Sequence, residues 1–332
     1  MKKNLHKLLL TMAAIGAMGS VDAKVWRVNN ATGVAADFVQ LSAAIANPAV
    51  LAGDTIHVEG SSTAYNRAEL KKRLVIIGPG YHLSGTGSNA GLQYHDQIAY
   101  INGLVLDSLG SGSVVMGLSG YMYLQTGADN YTITRNNIDI YTEIAGQKAS
   151  NIKIVRNQID VRLSAVAFED LEFTNNIVNN NCLLSSLSNT NVLFRNNTIS
   201  SATANVTNAY ISNNIFLSTV NFVNCTIKYN IATGLNTLPA GDNNQNNRPT
   251  AALILNTGSN DGKFQLAPGS PAIAAGEPIN GITPDCGAFG TADPYRLSGI
   301  APVPTIYSLT VPASVPSSAT TMTVTISTRS NN

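Results

Sequence analysis

Between residues 130 and 232, apolar side chains recur at every second position in short runs, and asparagine interrupts each run. Six segments align on an opening Asn or Asp: "NYTITRNNI" from Asn130, "NIKIVRNQI" from Asn151, "DLEFTNNI" from Asp170, "NVLFRNNTI" from Asn191, "NAYISNNI" from Asn208 and "NCTIKYNI" from Asn224. Their starts are 21, 19, 21, 17 and 16 residues apart. A period of two is the signature of a strand, and helical spacing is missing. A unit of this length cannot bury its own apolar side, so neighbours must stack and share one core. The pattern predicts an all-β chain folded as a single-stranded right-handed parallel β-helix, a solenoid whose coils each give a short strand to two or three parallel sheets.

Stacking explains the paired amides. Equivalent corners fall about 4.8 Å apart in the hydrogen-bonding direction, Asn tolerates a left-handed backbone, and its amide both donates and accepts. Asn196 and Asn197 are therefore expected to continue a ladder with Asn175, Asn176, Asn213 and Asn214. Leucine-rich repeats would need a Leu consensus and a helical half. A β-sandwich would place hairpin turns between strands, yet "NG" occurs only at 102–103 and 280–281, outside the repeat.

Upstream, "DFVQLSAAIANPAVLAGDTIHVEG" (37–60) begins as an amphipathic helix with Asp37 as N-cap and Phe38, Leu41 and Ile45 on one face, and turns into a strand at "GDTIHV". It is expected to cap the N-terminal end of the solenoid, where bare strand edges would invite aggregation. Less regular coils fill 55–129. At the other end, "TADPYRLSGIAPVPTIYSLTVPASVPSSATTMTVTISTRSNN" begins as a Pro-punctuated linker. It closes with Met322, Val324 and Ile326 alternating with threonines, a short β tail. Lys2, Lys3 and Lys7 ahead of "LLLTMAAIGAM" (8–18), followed by "VDA", match a cleaved signal peptide. The apolar run is too short to span a bilayer. The chain thus divides into a signal peptide (1–23), a β-helix with its cap (24–290) and a linker with a terminal strand (291–332).

Several of these segments carry a resemblance. "DFVQLSAAIANPAVLAGDTIHV", "KRLVIIGPGY" and "FQLAPGSPAIAAGEPINGITPDCGAFG" (264–290) resemble the first, early and last coils of secreted bacterial pectin-lyase-like β-helix proteins. The last of them, 264–290, resembles the final coil of a subgroup with variable C-terminal sorting or anchoring segments. The resemblance covers about 25–290 and implies a secreted or cell-surface location. It implies a fold rather than an activity, because one fold hosts unrelated functions.

Charge and chemistry narrow the function. Only 12% of residues are charged and the formal net charge is +1, so bulk electrostatics offer nothing to a nucleic acid. Cys182, Cys225 and Cys286 lack metal-site spacing and read as small apolar side chains. From Phe173 to Gly241 there is no Asp or Glu, and all four histidines lie at or before His95. Half the repeat therefore cannot supply an acid–base pair or a calcium site from its side chains. No metal site or cofactor is expected, and calcium enters only through the resemblance.

One constellation remains. Asp139 and Asp160 follow equivalent corners, with Arg135, Arg156 and Arg195 on neighbouring coils. In a polysaccharide-cleaving enzyme, Asp139, Asp160 and Arg156 would be the catalytic candidates. Arg135, Arg156 and Arg195, with Tyr121 and Tyr123, would bind a carboxylate-bearing sugar. Against this, exposed Asp and Arg at coil corners merely offset each other's charge, and the signature motifs of polygalacturonases and pectate lyases are missing. The leading expectation is a binding or surface-structural module toward polysaccharide or a cell-surface glycan, with no transmembrane segment after signal cleavage. The alternatives are a lyase or glycoside hydrolase, and a surface subunit that self-associates through its C-terminal strand.

Overall fold

The computed structural model describes residues 23–143, 146–200, 203–234 and 237–331, and the expected signal segment lies outside them apart from Ala23. The body is a parallel β-solenoid of about nine turns. From Ala68–Leu70 onward, each full coil gives one strand to each of two long sheets. The ten-stranded first sheet runs from Val25–Val28 through Gln147–Val155 and Val166–Thr174 to Thr226–Lys228. The second runs from Ala68–Leu70 through Tyr100–Leu106, Ser119–Leu124, Asn137–Thr142, Gln158–Arg162 and Ile177–Leu184 to Ile231–Ala232.

The period-two pattern does what strand geometry demands. Ile152 and Ile154 point inward and are fully buried, and Ile138 and Ile140 do the same in the second sheet. Register then sets like on like: Ile133, Ile154, Phe173, Phe194 and Ile211 are successive cross-strand partners. The Phe173 and Phe194 rings stack at 5.0 Å and 5°.

The paired asparagines divide the corner between them. In the pairs 175–176, 196–197 and 213–214 the second residue is interior, and with the asparagines at the same place in the other coils it forms the ladder Asn136–Asn157–Asn176–Asn197–Asn214–Asn230–Asn244. Each side-chain amide donates to the next Oδ1 at 2.9–3.3 Å. Each Oδ1 also accepts the backbone N–H of the preceding ladder residue, as Asn197 does from Asn176 at 2.9 Å. The first of each pair instead supplies the left-handed turn: φ is 56° at Asn175, 53° at Asn196 and 61° at Asn213. Arg135 and Arg156 take that same place, at 56° and 61°. The opening residues Asn130, Asn151, Asp170, Asn191, Asn208 and Asn224 are left-handed too, at 52–61°. They build a second, exposed ladder with Asn151 bonded to Asn130 and Asn191 to Asp170. The expected ladder is thus present in the interior residues Asn176, Asn197 and Asn214, whereas among the first residues Asn213 donates to Asn196 at 3.3 Å and Asn175 instead bonds the returning chain.

The helix is shorter than expected, Leu41–Ala46, with Gln40 at its N-cap position and no side-chain cap. Asp37 instead accepts the backbone N–H of Arg27 at 2.8 Å. Phe38 sits in a parallel bridge with Val28. Leu41, Ala44 and Ile45 join the main core.

After Ile231–Ala232 no strand among the described residues joins either long sheet, and the chain folds back along the outside. Leu253, Phe264, Ala272, Cys286 and Tyr295 bury the outward-facing Ile177, Ile215 and Ile231 in a second core. The returning strap then engages the left-handed corners in reverse order. Glu277 N donates to Asn213 Oδ1 (2.6 Å), and Asn196 Nδ2 donates to Asp285 O (2.8 Å). Asn175 Nδ2 reaches Gly290 O (2.7 Å), Arg156 pairs with Asp293, and Arg135 Nη1 donates to Ile300 O (2.8 Å). Gly299 has φ +56°, and a Cβ there would lie 2.3 Å from Arg135 O. Only glycine lets the strap lie that close.

Glu277 anchors the start of this strap. Its carboxylate accepts from Tyr210 Oη (2.6 Å) and pairs with Lys228 (3.2 Å) and Arg195 (3.4 Å). Burial opposes its ionisation, but the bonds from Tyr210 and Lys228 and the two nearby cations outweigh it and hold the carboxyl below its usual 4.5. A depressed folded-state value stabilises above the unfolded value and is lost as pH falls through the folded one. Glu277→Gln should therefore loosen the strap at neutral pH by about 1 kcal/mol or more, and the difference from the parent should close at pH values below 4.5. Hydrogen exchange over residues 277–300 measures both.

Candidate functional site

The first half of the second sheet keeps a partly open outer face, with Tyr121 exposed at one end while Gln158 and Asp160 are covered. Because Ile138, Ile140, Ile159 and Val161 point inward, Asn137, Asp139 and Tyr141 point outward on one strand, and Gln158, Asp160 and Arg162 on the next. The register aligns them in files: Asn137 beside Gln158, Tyr121 beside Asp139 beside Asp160, and Tyr123 beside Tyr141 beside Arg162.

The two aspartates differ in environment. Asp160 is only 4% exposed. The register skips between Ile159 and Val161, which partner Val178 and Cys182. The extra residues bring Asn181 over the carboxylate, where its backbone N–H and its side-chain amide (3.2 Å) both donate, and Arg162 pairs with it at 3.1 Å. Asp139 is half-buried and accepts one bond from Tyr141 Oη (3.2 Å). Burial and the neighbouring Asp160 charge push its carboxyl above the usual range, and Tyr141 and Arg162 offset them only in part.

Tyrosines occupy one end of the face. Tyr121 lies edge-on to Tyr100 at 6.2 Å and tilted to Tyr141 at 6.1 Å, and Tyr123 stacks on Tyr141 at 5.7 Å. Guanidinium groups cover the outer rings: Arg67 over Tyr123 at 4.5 Å and Arg162 over Tyr141 at 5.0 Å. Arg67 is held by Glu143 at 2.5 Å. Gly103 makes room for this group, since a Cβ there would be 2.9 Å from the Tyr123 ring. Burial raises the hydroxyl of Tyr100 to about 12 and that of Tyr141 in the same direction, so both remain donors at neutral pH.

At the other end lies a polar cavity of about 470 Å³. Asn137, Gln158, Asn179, Asn180 and Ser200 line it from the sheet, with His82, Asn260 and Lys263 from flanking loops. His82 Nε2 bonds Gln158 Oε1 at 2.6 Å, and Asn260 N donates to Gly87 O at 2.8 Å, which joins the two walls.

The structure brings Asp139, Asp160, Tyr121 and Tyr123 together. It places Arg135, Arg156 and Arg195 elsewhere, at the strap corners with the partners already given. Arg135 is buried, and desolvation first, then the charges of Arg156 and Arg296, lower it to about 10. Arg67, Tyr141, Arg162, His82 and Lys263 complete the face. Tyr141 and Arg162 carried a readable signal, since each stands two residues beyond an aspartate on the same strand.

Cys182 and Cys286 are buried and Cys225 is partly so, all as free thiols. Among the described residues, no group of three or more His, Cys, Asp or Glu is placed to hold a metal ion. None of their helices is long and apolar enough to cross a membrane. The chain matches no protein-family model, no curated protein and no solved structure.

Proposed function

We propose that the outer face of the second sheet binds an extended saccharide chain, so that the protein serves as a binding module toward polysaccharide or a cell-surface glycan. The observation that carries this reading is the unbroken sequence of amide cavity, aspartate pair and tyrosine group along three adjoining strands. Sugars combine many hydroxyls with apolar ring faces. Amides and carboxylates satisfy the former and aromatic groups the latter. The formal charge of +1 and the paired acids do not suit a nucleic acid. Export to the cell exterior, right-handed winding, a capping role for Leu41–Ala46 and kinship with pectin-lyase-like proteins accord with this reading and belong to the same proposal.

One observation favours a second reading, glycan cleavage. Asp139 has a raised carboxyl beside a second carboxylate held by donors, the arrangement that separates an acid from its partner. A glycan array and a product assay on the same panel divide the two. Binding without product supports the module. Product release abolished by Asp139→Asn supports cleavage. Neither binding nor product on a broad panel sinks both.

Stability offers an independent check on Asp139. A carboxyl that keeps its proton to higher pH in the fold penalises folding as pH rises through the folded value. Asp139→Asn should therefore melt above the parent at neutral pH, with the difference closing below pH 3.8, the ordinary value.

A further inference from the structure

Beyond the strap, the chain forms a two-stranded antiparallel sheet, Thr305–Thr310 against Thr325–Arg329. Both strands are tied to the body: Tyr94 N donates to Ile306 O of the first at 2.9 Å, and the Arg329 side chain at the end of the second donates to Leu92 O. Ile306 and Leu309 roof a cavity of about 410 Å³ over His57 and Glu59. The second strand has, among the described residues, a partner on one side only. Among the described residues, no backbone hydrogen bond reaches its outer edge.

Three features make this edge unusual. Tyr307, Met322, Val324 and Ile326 stand exposed around it, Ile326 at 55%. Between Arg296 and Arg329 there is no charged residue. Prolines 312 and 316 fall in the connecting loop rather than in the strand. Soluble proteins guard open edges with charge, proline or bulges, and a lone hairpin is marginal in water.

An open edge calls for another strand, and an uncharged surface calls for an uncharged partner. A twofold axis sets only the central residues of a self-paired antiparallel strand beside their own copies, so self-pairing penalises charge near the middle of the strand. This strand carries only Arg329 at its end. Antiparallel pairing about Ser327 would set Arg329 opposite Thr325 of the other copy, away from its own counterpart. We propose that strand Thr325–Arg329 pairs antiparallel with the same strand of a second copy, making a four-stranded sheet that joins two solenoids.

Sedimentation of the full chain across micromolar concentrations tests this. The parent should be a reversible dimer. Ile326→Lys should be a monomer with an unchanged circular dichroism spectrum, while Val315→Lys, in the exposed loop, should remain dimeric. A monomeric parent overturns the proposal, as does an Ile326→Lys variant that still dimerises. A monomer that instead floats with phosphatidylcholine vesicles also overturns it, in favour of a lipid surface.

Discussion

Asn197→Ala is expected to destabilise the solenoid by at least about 3 kcal/mol, the summed cost of three buried groups stranded at about 1 kcal/mol or more each. Those groups are the backbone N–H and one side-chain N–H of Asn176, and the carbonyl of Phe173, all bonded to Asn197 at 2.9–3.2 Å. Asn197 is fully buried, so no water replaces the lost partners. The matched comparison is Asn191→Ala. That residue belongs to the same repeat and also bonds the coil below, through Asp170, but it is exposed. Its replacement should cost about 0.5–1 kcal/mol. Denaturant unfolding with circular dichroism reads both. Losses within about 1 kcal/mol of each other would show that burial does not separate the two ladders, because the cost of an unpaired group depends on its removal from water. A folded domain holds only about 5–15 kcal/mol in total. Two lesions in the interior ladder should therefore prevent folding where two in the exterior one do not.

The same contrast shows what the sequence could and could not disclose. Apolar alternation and a fixed asparagine corner are local and repeated, so the solenoid and the core register could be read from one chain. The strap could not. "APGSPAIAAGEPINGITPDCGAFG" has no period, and its partners are corner residues up to 165 positions away, as between Arg135 and Ile300. Arg135 and Arg156 look like free cations on adjacent coils until the strap covers them. Asp37 fails as a cap for a related reason: the backbone N–H of Arg27, in the adjoining strand, is its acceptor's partner instead. The aspartate pair was legible because both residues follow the same corner. Its tyrosine neighbours were legible only along the strand, where the period of two carries the outward face from Asp139 to Tyr141 and from Asp160 to Arg162.

Tyr141 is the residue on which the proposed saccharide face depends most. Its ring stacks on Tyr123 and touches Tyr121. Its hydroxyl donates to Asp139 and accepts from Arg162, whose guanidinium also lies over the ring. Tyr141→Ala removes the aromatic surface and frees four neighbours at once, Tyr121, Tyr123, Asp139 and Arg162. A central aromatic of this kind contributes about 2 kcal/mol or more to binding, so affinity for the glycan identified on the array should fall about 30-fold. Tyr141→Phe keeps the ring and loses only the hydroxyl, and should fall between parent and alanine. Arg156→Ala is the control: it breaks the pair with Asp293 at a strap corner and should leave affinity unchanged while the strap exchanges faster. Reversal of that order, with Arg156→Ala abolishing binding and Tyr141→Ala sparing it, would move the site from the sheet face to the corner. The saccharide would then have to displace the strap, since the Arg156 guanidinium faces Asp293 rather than the open sheet.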